Sequence, residues 1–327
     1  MTKYENQIPT SAGMSFNSLI SMLRDSIRGS AVRRPAANMP IVKCEPAESL
    51  NASDNPQVTW FGHSAFLLEM EGRRLLFDPM LGKRPSPVSW AGTKRYSTRL
   101  PIEPEDFPAI DAIIISHDHY DHLDSSSIRR LKDKTERFIV PLGVRRRLIQ
   151  MGVPAEQITE HHWWNEFSLM GFTVACTPAR HFSGRGLFDR NSTLWCSWVI
   201  AGRETKVFFS GDSGYGPHFK EIGRKYGPFD LTLMECGQYD ERWSNIHMMP
   251  EETVQAHLDV GGELLIPIHW AAFTLAFHAW NEPVERVTKA AQALKVNIAT
   301  PKIGEKVRLY TADYPSQPWW RYPEPRG

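Results

Sequence analysis

The chain has 327 residues, 41% of them hydrophobic, which is enough to bury a sizeable core in one large domain or two. Its 38 Lys and Arg against 37 Asp and Glu leave a net charge of +1 and exclude bulk electrostatic attraction to nucleic acid. Cys44, Cys176, Cys196 and Cys236 lack any C-x-x-C spacing, which argues against a disulfide framework or a zinc ribbon and for buried thiols of a reducing compartment.

No run approaches the roughly eighteen apolar residues of a membrane span, and no basic-then-apolar leader opens the chain, so a soluble, cytoplasmic protein is expected. Residues 1–56 read as an N-terminal extension rich in Ser, Asn, Pro and Ala. Within it Phe16, Leu19, Ile20, Leu23 and Ile27 recur at helical spacing, with Ser15 as the N-cap and Arg24 and Arg28 on the other side. This amphipathic helix is expected to pack on its own domain or on the partner of a homodimer, and a peripheral membrane contact is the sharper alternative. Residues 29–56 read as an extended arm.

From Gln57 the pattern turns to strands. Val58–Phe61 and Ala65–Met70 are joined at Gly62-His63, and Glu71-Gly72 turns into Arg74–Phe77. Asp78 ends that strand, where a carboxylate can orient a ligand histidine through its second ring nitrogen; His63 has a similar supporting place or is a plain loop histidine. Residues 80–109 form a long loop with Trp90 and Tyr96.

The stretch Ala112–Asp124, AIIISHDHYDHLD, carries the chemistry. A short β-branched strand runs into three histidines and two aspartates within the six residues from His117 to His122. His117 and His119, two apart at a strand end, share a direction and suit one metal ion, while Asp121 and His122 follow in a turn and suit a second. Imidazole with carboxylate fits zinc, manganese or iron, not a soft thiolate site. Downstream, helices over Ser125–Lys134 and Gly143–Met151 enclose a strand at Phe138–Val140, an alternation that argues for a layered α/β fold.

Three later segments repeat the same design. FTVACTPARH delivers His181 just beyond a strand, VFFSGDSG sets Asp212 between small residues that leave space for a carboxylate to bridge two cations, and LLIPIHW ends in His269. Separate strands that each terminate in a metal-type ligand are hard to explain as accident.

The H-x-H-x-D-H motif and the order His117, His119, Asp121, His122, His181, Asp212, His269 resemble the metallo-β-lactamase superfamily. The segments WFGHSAFLLEM, FDPMLGKRPSP, GTKRY, VPLG, the Trp163-Trp164 pair, GDSGY, IGRKYGPFD, ERW, HMMPEETVQAH and IHW narrow this to a resemblance to the N-acylphosphatidylethanolamine-hydrolysing phospholipase D branch and its bacterial relatives. Ile246 and Asp118 depart from that branch.

The resemblance implies a four-layer αββα sandwich over residues 57–310, followed by a tail at 311–327. It implies two divalent ions, zinc expected with manganese or iron as alternatives. His117, His119 and His181 hold one, Asp121, His122 and His269 the other, and Asp212 bridges. A hydroxide shared by the ions would hydrolyse a phosphodiester or phospholipid substrate. Asp121, His247 and Tyr120 are the catalytic residues it suggests. His247 lies just before the Pro250-Glu251-Glu252 helix start and faces the phosphate; Tyr120 either donates to a phosphoryl oxygen or only packs. A lactonase or amidase using the same site is the alternative. All seven ligands lie after residue 116, so removal of residues 1–30 is expected to spare the site.

Overall fold

A computed structural model describes residues 3–11, 16–27, 32–44, 50–51, 54–88 and 90–321. The expected N-cap Ser15 and the flanking Arg28 lie outside the described residues. Helix α1 (Phe16–Ile27) is followed by six strands that build the first sheet: β1 (Gln57–Trp60), β2 (Phe66–Met70), β3 (Arg73–Phe77), β4 (Ile110–Ile114), β5 (Thr135–Pro141) and β6 (Ile158–His161). Helices α2 (Ser125–Leu131) and α3 (Arg145–Gln150) interrupt them. The second sheet comprises β7 (Glu166–Leu169), β8 (Phe172–Thr177), β9 (Ser197–Ala201), β10 (Lys206–Phe209), β11 (Phe229–Glu235), β12 (Gly262–Ile268) and β13 (Asn297–Ile298). Helices α4 (His218–Tyr226), α5 (Pro250–Val260) and α6 (Glu282–Leu294) belong to this half, and β14 (Lys306–Arg308) returns to the first sheet.

The sheets run β14-β1-β2-β3-β4-β5-β6 and β13-β12-β11-β10-β9-β8-β7, giving the expected four-layer αββα sandwich. Strand alternation explains why both faces of each sheet are covered. Phe66, Leu68, Leu75, Phe77, Ala112 and Ile114 point between the sheets. Their neighbours Leu67, Leu76 and Ile113 point outward beneath Ile128, Leu131 and Leu148 of α2 and α3. A face-to-face pair, Phe66 and Phe77 at 4.4 Å, meets Phe209 of the opposite sheet edge-on at 5.2 and 5.5 Å.

Several boundaries shift by one to three residues from expectation, and two differences go further. The helix read as Ser125–Lys134 is α-helical only to Leu131 and tightens into a 3-10 turn over Lys132–Lys134. The C-terminal tail is built into the core: Trp319 and Trp320 are buried and lie 5.3 and 5.9 Å from Trp270, which stacks on Trp60 at 5.4 Å.

Parallel pairing sets the position of the site. β10, β11 and β12 run parallel, and β8, antiparallel to β9, shares their direction. Their C-terminal ends therefore open onto one edge of the sandwich, facing the end of β4 in the other sheet. No helix among the described residues is long and apolar enough to cross a membrane.

Candidate metal centre

The end of β4 is fixed before its histidines begin. Ile115 continues the ladder to Ile139, and the following turn closes as Leu123 N–H donates to the His119 carbonyl at 2.8 Å. Asp124 then caps α2, accepting from Ser126 and Ser127 N–H at 3.3 and 2.9 Å. Held from both sides, the loop turns His117, His119, Asp121 and His122 inward.

The seven expected ligands converge. His119 Nδ1 lies 2.9 Å from His117 Nε2 and 3.3 Å from His181 Nε2, so three imidazole nitrogens meet at one point. Asp121, His122 and His269 form a second group, which His63 joins. Asp212 lies between them, its Oδ2 3.8 Å from both His117 and His181 Nε2 and 3.0 Å from His122 Nε2, its Oδ1 3.1 Å from His269 Nδ1.

The expected supporting residues touch these groups. Asp78 accepts from the His122 Nδ1 at 2.7 Å and from the Ser116 backbone N–H at 2.7 Å, and also bonds the Ser116 hydroxyl. His63 Nε2 lies 2.9 Å from Asp121 Oδ2. His63, Asp78 and His269 all adopt left-handed backbone, at φ 55°, 37° and 68°, a strain that concentrates where side chains must be aimed. Gly211 explains the small residue before Asp212: at φ +56° its Cβ would stand 2.6 Å from the Cys196 carbonyl and 2.9 Å from Ser116 Cβ.

Electrostatics suit a cation. Burial holds the imidazoles of His117, His181 and His269 well below the usual histidine range, keeping them in the neutral form that ligates. Burial would lower His122 too, but Asp212, Asp121 and Asp78 together lift it well above that range. Burial likewise opposes ionisation of Asp212, yet the facing His122 brings its carboxyl down to about 2. His269 Nε2 and His63 Nδ1 are buried with no hydrogen-bond partner, and His122 Nε2 and Asp212 Oδ1, although 3.0 Å from Asp212 Oδ2 and 3.1 Å from His269 Nδ1, make no hydrogen bond there. Orphaned polar atoms at the centre of a buried cluster cost about 1–3 kcal/mol each unless something coordinates them. The donor set of imidazole and carboxylate therefore fits two divalent ions.

For Tyr120 the contacts match the packing alternative: its hydroxyl donates to the Arg185 carbonyl at 2.9 Å and its ring lies 3.8 Å beneath the Arg185 guanidinium. His247 is on the expected loop before α5 but is not exposed; its side chain is 12% accessible and its Nδ1 lies 2.7 Å from Glu235 Oε2. Of the two departures, the Asp118 side chain has a structural role, whereas position 246 acts through its backbone carbonyl, which any residue supplies. Asp118 fixes the loop after His181 through Gly184 N–H and Arg147, at 2.8 and 3.2 Å, and the Ile246 carbonyl accepts from the His181 Nδ1 at 2.9 Å.

The N-terminal expectation also needs correction. Asn6 Nδ2 donates to the His181 carbonyl at 2.7 Å, and its Oδ1 accepts from the His181 N–H and the Trp195 indole, each at 3.1 Å. A residue about 175 positions upstream thus sets the backbone of a candidate ligand. Ser64 and Ser116, which hold His269 and His117 at 2.9 Å, were also not legible. Glu235 was not singled out either, although it carries the signal that marks His269: it ends the apolar strand FDLTLME as His269 ends LLIPIHW.

The fold and its histidine-rich edge define a hydrolase of the metallo-β-lactamase superfamily, and the chain belongs to that family. The family model described as the Beta-lactamase superfamily domain matches residues 73–270. Within the superfamily, the chain is 45% identical over 292 residues to an uncharacterized protein of Mycobacterium tuberculosis, covering 88% of this chain and 77% of that one. It is 36% identical over 241 residues to N-acyl-phosphatidylethanolamine-hydrolyzing phospholipase D 1 of Caenorhabditis elegans, covering 70% of this chain and 67% of the relative. Among solved structures, Igni18, a metallo hydrolase from Ignicoccus hospitalis, superposes with a TM-score of 0.58 at 23% identity over 79% of this chain and 99% of its own. An isothiocyanate hydrolase from Delia radicum gut bacteria gives 0.61 at 17% over 77% and 98%. These two likenesses speak for the fold alone.

Proposed function

We propose that this protein is a dinuclear metal-dependent phosphodiesterase of phospholipase D type, acting on N-acylphosphatidylethanolamine-like lipids. The observation that carries the reading is the set of buried, unpartnered nitrogen and oxygen atoms at the centre of five imidazoles and two carboxylates. Its lipid substrate is suggested by the similarity to the worm enzyme. His117, His119 and His181 would hold one ion, Asp121, His122 and His269 the other, and Asp212 both, with zinc expected and manganese or iron compatible with the same donors. When bound, the ions supply Lewis acidity and an activated water.

The chain's own residues do the rest. Asp78, Ser64 and Ser116 fix the ring orientations of His122, His269 and His117. His63 orients Asp121. His247, with rings of His181 and His269 at 5.0 and 5.2 Å, stands at the rim of both groups, where a proton can pass to a departing alcohol oxygen. Leu187 and Phe188, 92% and 94% exposed at the tip of the loop after His181, support a peripheral contact with the lipid phase that holds the substrate.

The test is turnover by the metal-loaded protein of N-acylphosphatidylethanolamine, phosphatidylethanolamine and a panel of lactones. Release of N-acylethanolamine with little lactone cleavage is expected. Preferential lactone opening would transfer the site to acyl chemistry.

A further inference from the structure

Glu235 ends β11, is fully buried, and neither the ion site nor the core accounts for it. Its backbone is pinned on both sides, N–H to Ser210 Oγ at 3.0 Å and carbonyl to Thr253 Oγ1 at 2.7 Å. Oε1 accepts from the backbone N–H groups of Ser213 and Met248, at 3.1 and 2.9 Å. Oε2 faces His247 Nδ1 at 2.7 Å. Three donors thus share two oxygens, and the carboxylate has one orientation.

Glu235, Asp212, His247 and His269 offer donor atoms within 4.8 Å of one another, the spacing of a further cation site. The hydrogen bonds argue against that use, because Oε1 already accepts two backbone N–H groups and Oε2 already faces the His247 imidazole. The same bonds have a consequence for His247. With Glu235 ionised its oxygens only accept, so Nδ1 carries a proton toward it, and Nε2 has no protein partner among the described residues. The ring stacks on His269 at 18° and 5.2 Å and meets His181 edge-on at 5.0 Å, which removes its remaining freedom to rotate.

We infer that Glu235 is the positioning residue of the reaction, keeping Nδ1–H of His247 on its carboxylate and the ring in the rotamer that presents Nε2–H to the leaving oxygen. The inference rests on the phosphodiesterase reading above. In the step it serves, the oxygen of water bonds to phosphorus and the bond from phosphorus to the alcohol oxygen breaks. That oxygen takes the Nε2 proton of His247 in its imidazolium form, leaving the neutral ring, and the proton given up by water restores the imidazolium through solvent. The products are a phosphomonoester and an alcohol, and Nδ1 keeps its proton on Glu235 throughout. The arrangement has the logic of a carboxylate that orients a catalytic imidazole without itself gaining a proton.

The test uses Glu235→Gln, Glu235→Asp, His247→Ala and the Gln/Ala double variant of the metal-loaded protein. Each is assayed on a short-chain glycerophospho-N-butanoylethanolamine, whose leaving group is a primary alcohol, and on bis(p-nitrophenyl) phosphate, whose leaving phenolate needs no proton. Metal content and melting temperature are measured alongside. The Gln side chain sets an NH2 against either Nδ1–H or the two backbone donors, so the single productive orientation is lost. Glu235→Gln is expected to lower kcat on the alkyl diester by about 10²-fold with full metal content, and to lower the aryl rate far less. Glu235→Asp should give an intermediate loss with the same split, and the double variant should be no slower than His247→Ala. Equal losses on both substrates, multiplicative losses in the double variant, or metal lost with Glu235→Gln would overturn the inference. If His247→Ala shows no leaving-group split, the proton-transfer role of His247 fails, and Glu235 with it. A split in His247→Ala but not in Glu235→Gln removes Glu235 alone.

Discussion

Asp78→Asn isolates the part of the site that aims a ligand without touching the ions. The change is nearly isosteric, and asparagine tolerates the left-handed backbone found there at φ 37°. What changes is the hydrogen-bond count. Asp78 accepts from Ser116 N–H and His122 Nδ1, each at 2.7 Å, and from the Ser116 hydroxyl. An amide has one accepting oxygen, so its NH2 must face either the backbone donor or the imidazole. If it faces the imidazole, the proton moves to Nε2, the nitrogen that is to ligate. Loss of charge-assisted hydrogen bonds in a fully buried site costs about 1.5–3 kcal/mol. At about 1.4 kcal/mol per factor of ten, this corresponds to a roughly 10- to 100-fold weaker ion at His122, the range typical of residues that support metal ligands. The ion held by His117, His119 and His181 should be affected less, because Ser116 still reaches His117 Nδ1 at 2.9 Å. Chelator-competition titration of the reconstituted protein resolves the two affinities. Unchanged affinity at both sites, or equal loss at both, would refute this account of how the His122 ring is set.

Asn6→Ala removes the bonds to the His181 backbone and should weaken the ion of the His117 group by about tenfold, measured by the same titration; no change would make the N-terminal segment a bystander. Replacing Leu187 and Phe188 by Ser should reduce hydrolysis on vesicles while sparing a short-chain soluble diester, and parallel losses would count against the lipid contact. His257, on α5 and bonded to Thr232 Oγ1 at 2.7 Å, is pushed by burial down to about 4. Its folded value lies below the unfolded 6.5, so the unfolded chain binds more protons as pH falls through that interval, and stability drops by up to about 3 kcal/mol from this group. His257→Gln keeps a partner for Thr232 but cannot titrate, so urea midpoints at pH 7 and 5 should differ less than in the parent; an identical difference would assign the acid sensitivity elsewhere.

The parts of the site that were legible share one physical signature, a polar ligand at the abrupt end of an apolar strand. His117, His181, Asp212 and His269 all have it, because a sandwich whose strands end at one edge can assemble a centre only from such ends. Glu235 has the same signature and escaped notice because a lone carboxylate after a strand is usually a turn residue. Asn6, Ser64 and Ser116 were not readable, since each acts through a hydrogen bond whose partner is set by the tertiary fold. His247 could be placed on its loop, but its burial depends on Glu235 and on two rings from other strands. The burial of Trp319 and Trp320 was hidden for a similar reason: their partner Trp270 is itself set by stacking on Trp60 of the other sheet.

The central claim is that two ions share Asp212, and metal counting tests it most directly. Elemental analysis of protein purified without chelator and reconstituted with zinc should give two equivalents per chain. Asp212→Ala, which removes the ligand lying between His122 and His269 on one side and His117 and His181 on the other, should lose both metal and activity. A single equivalent in the parent protein, or an Asp212→Ala variant that keeps two ions and full turnover, would contradict the account.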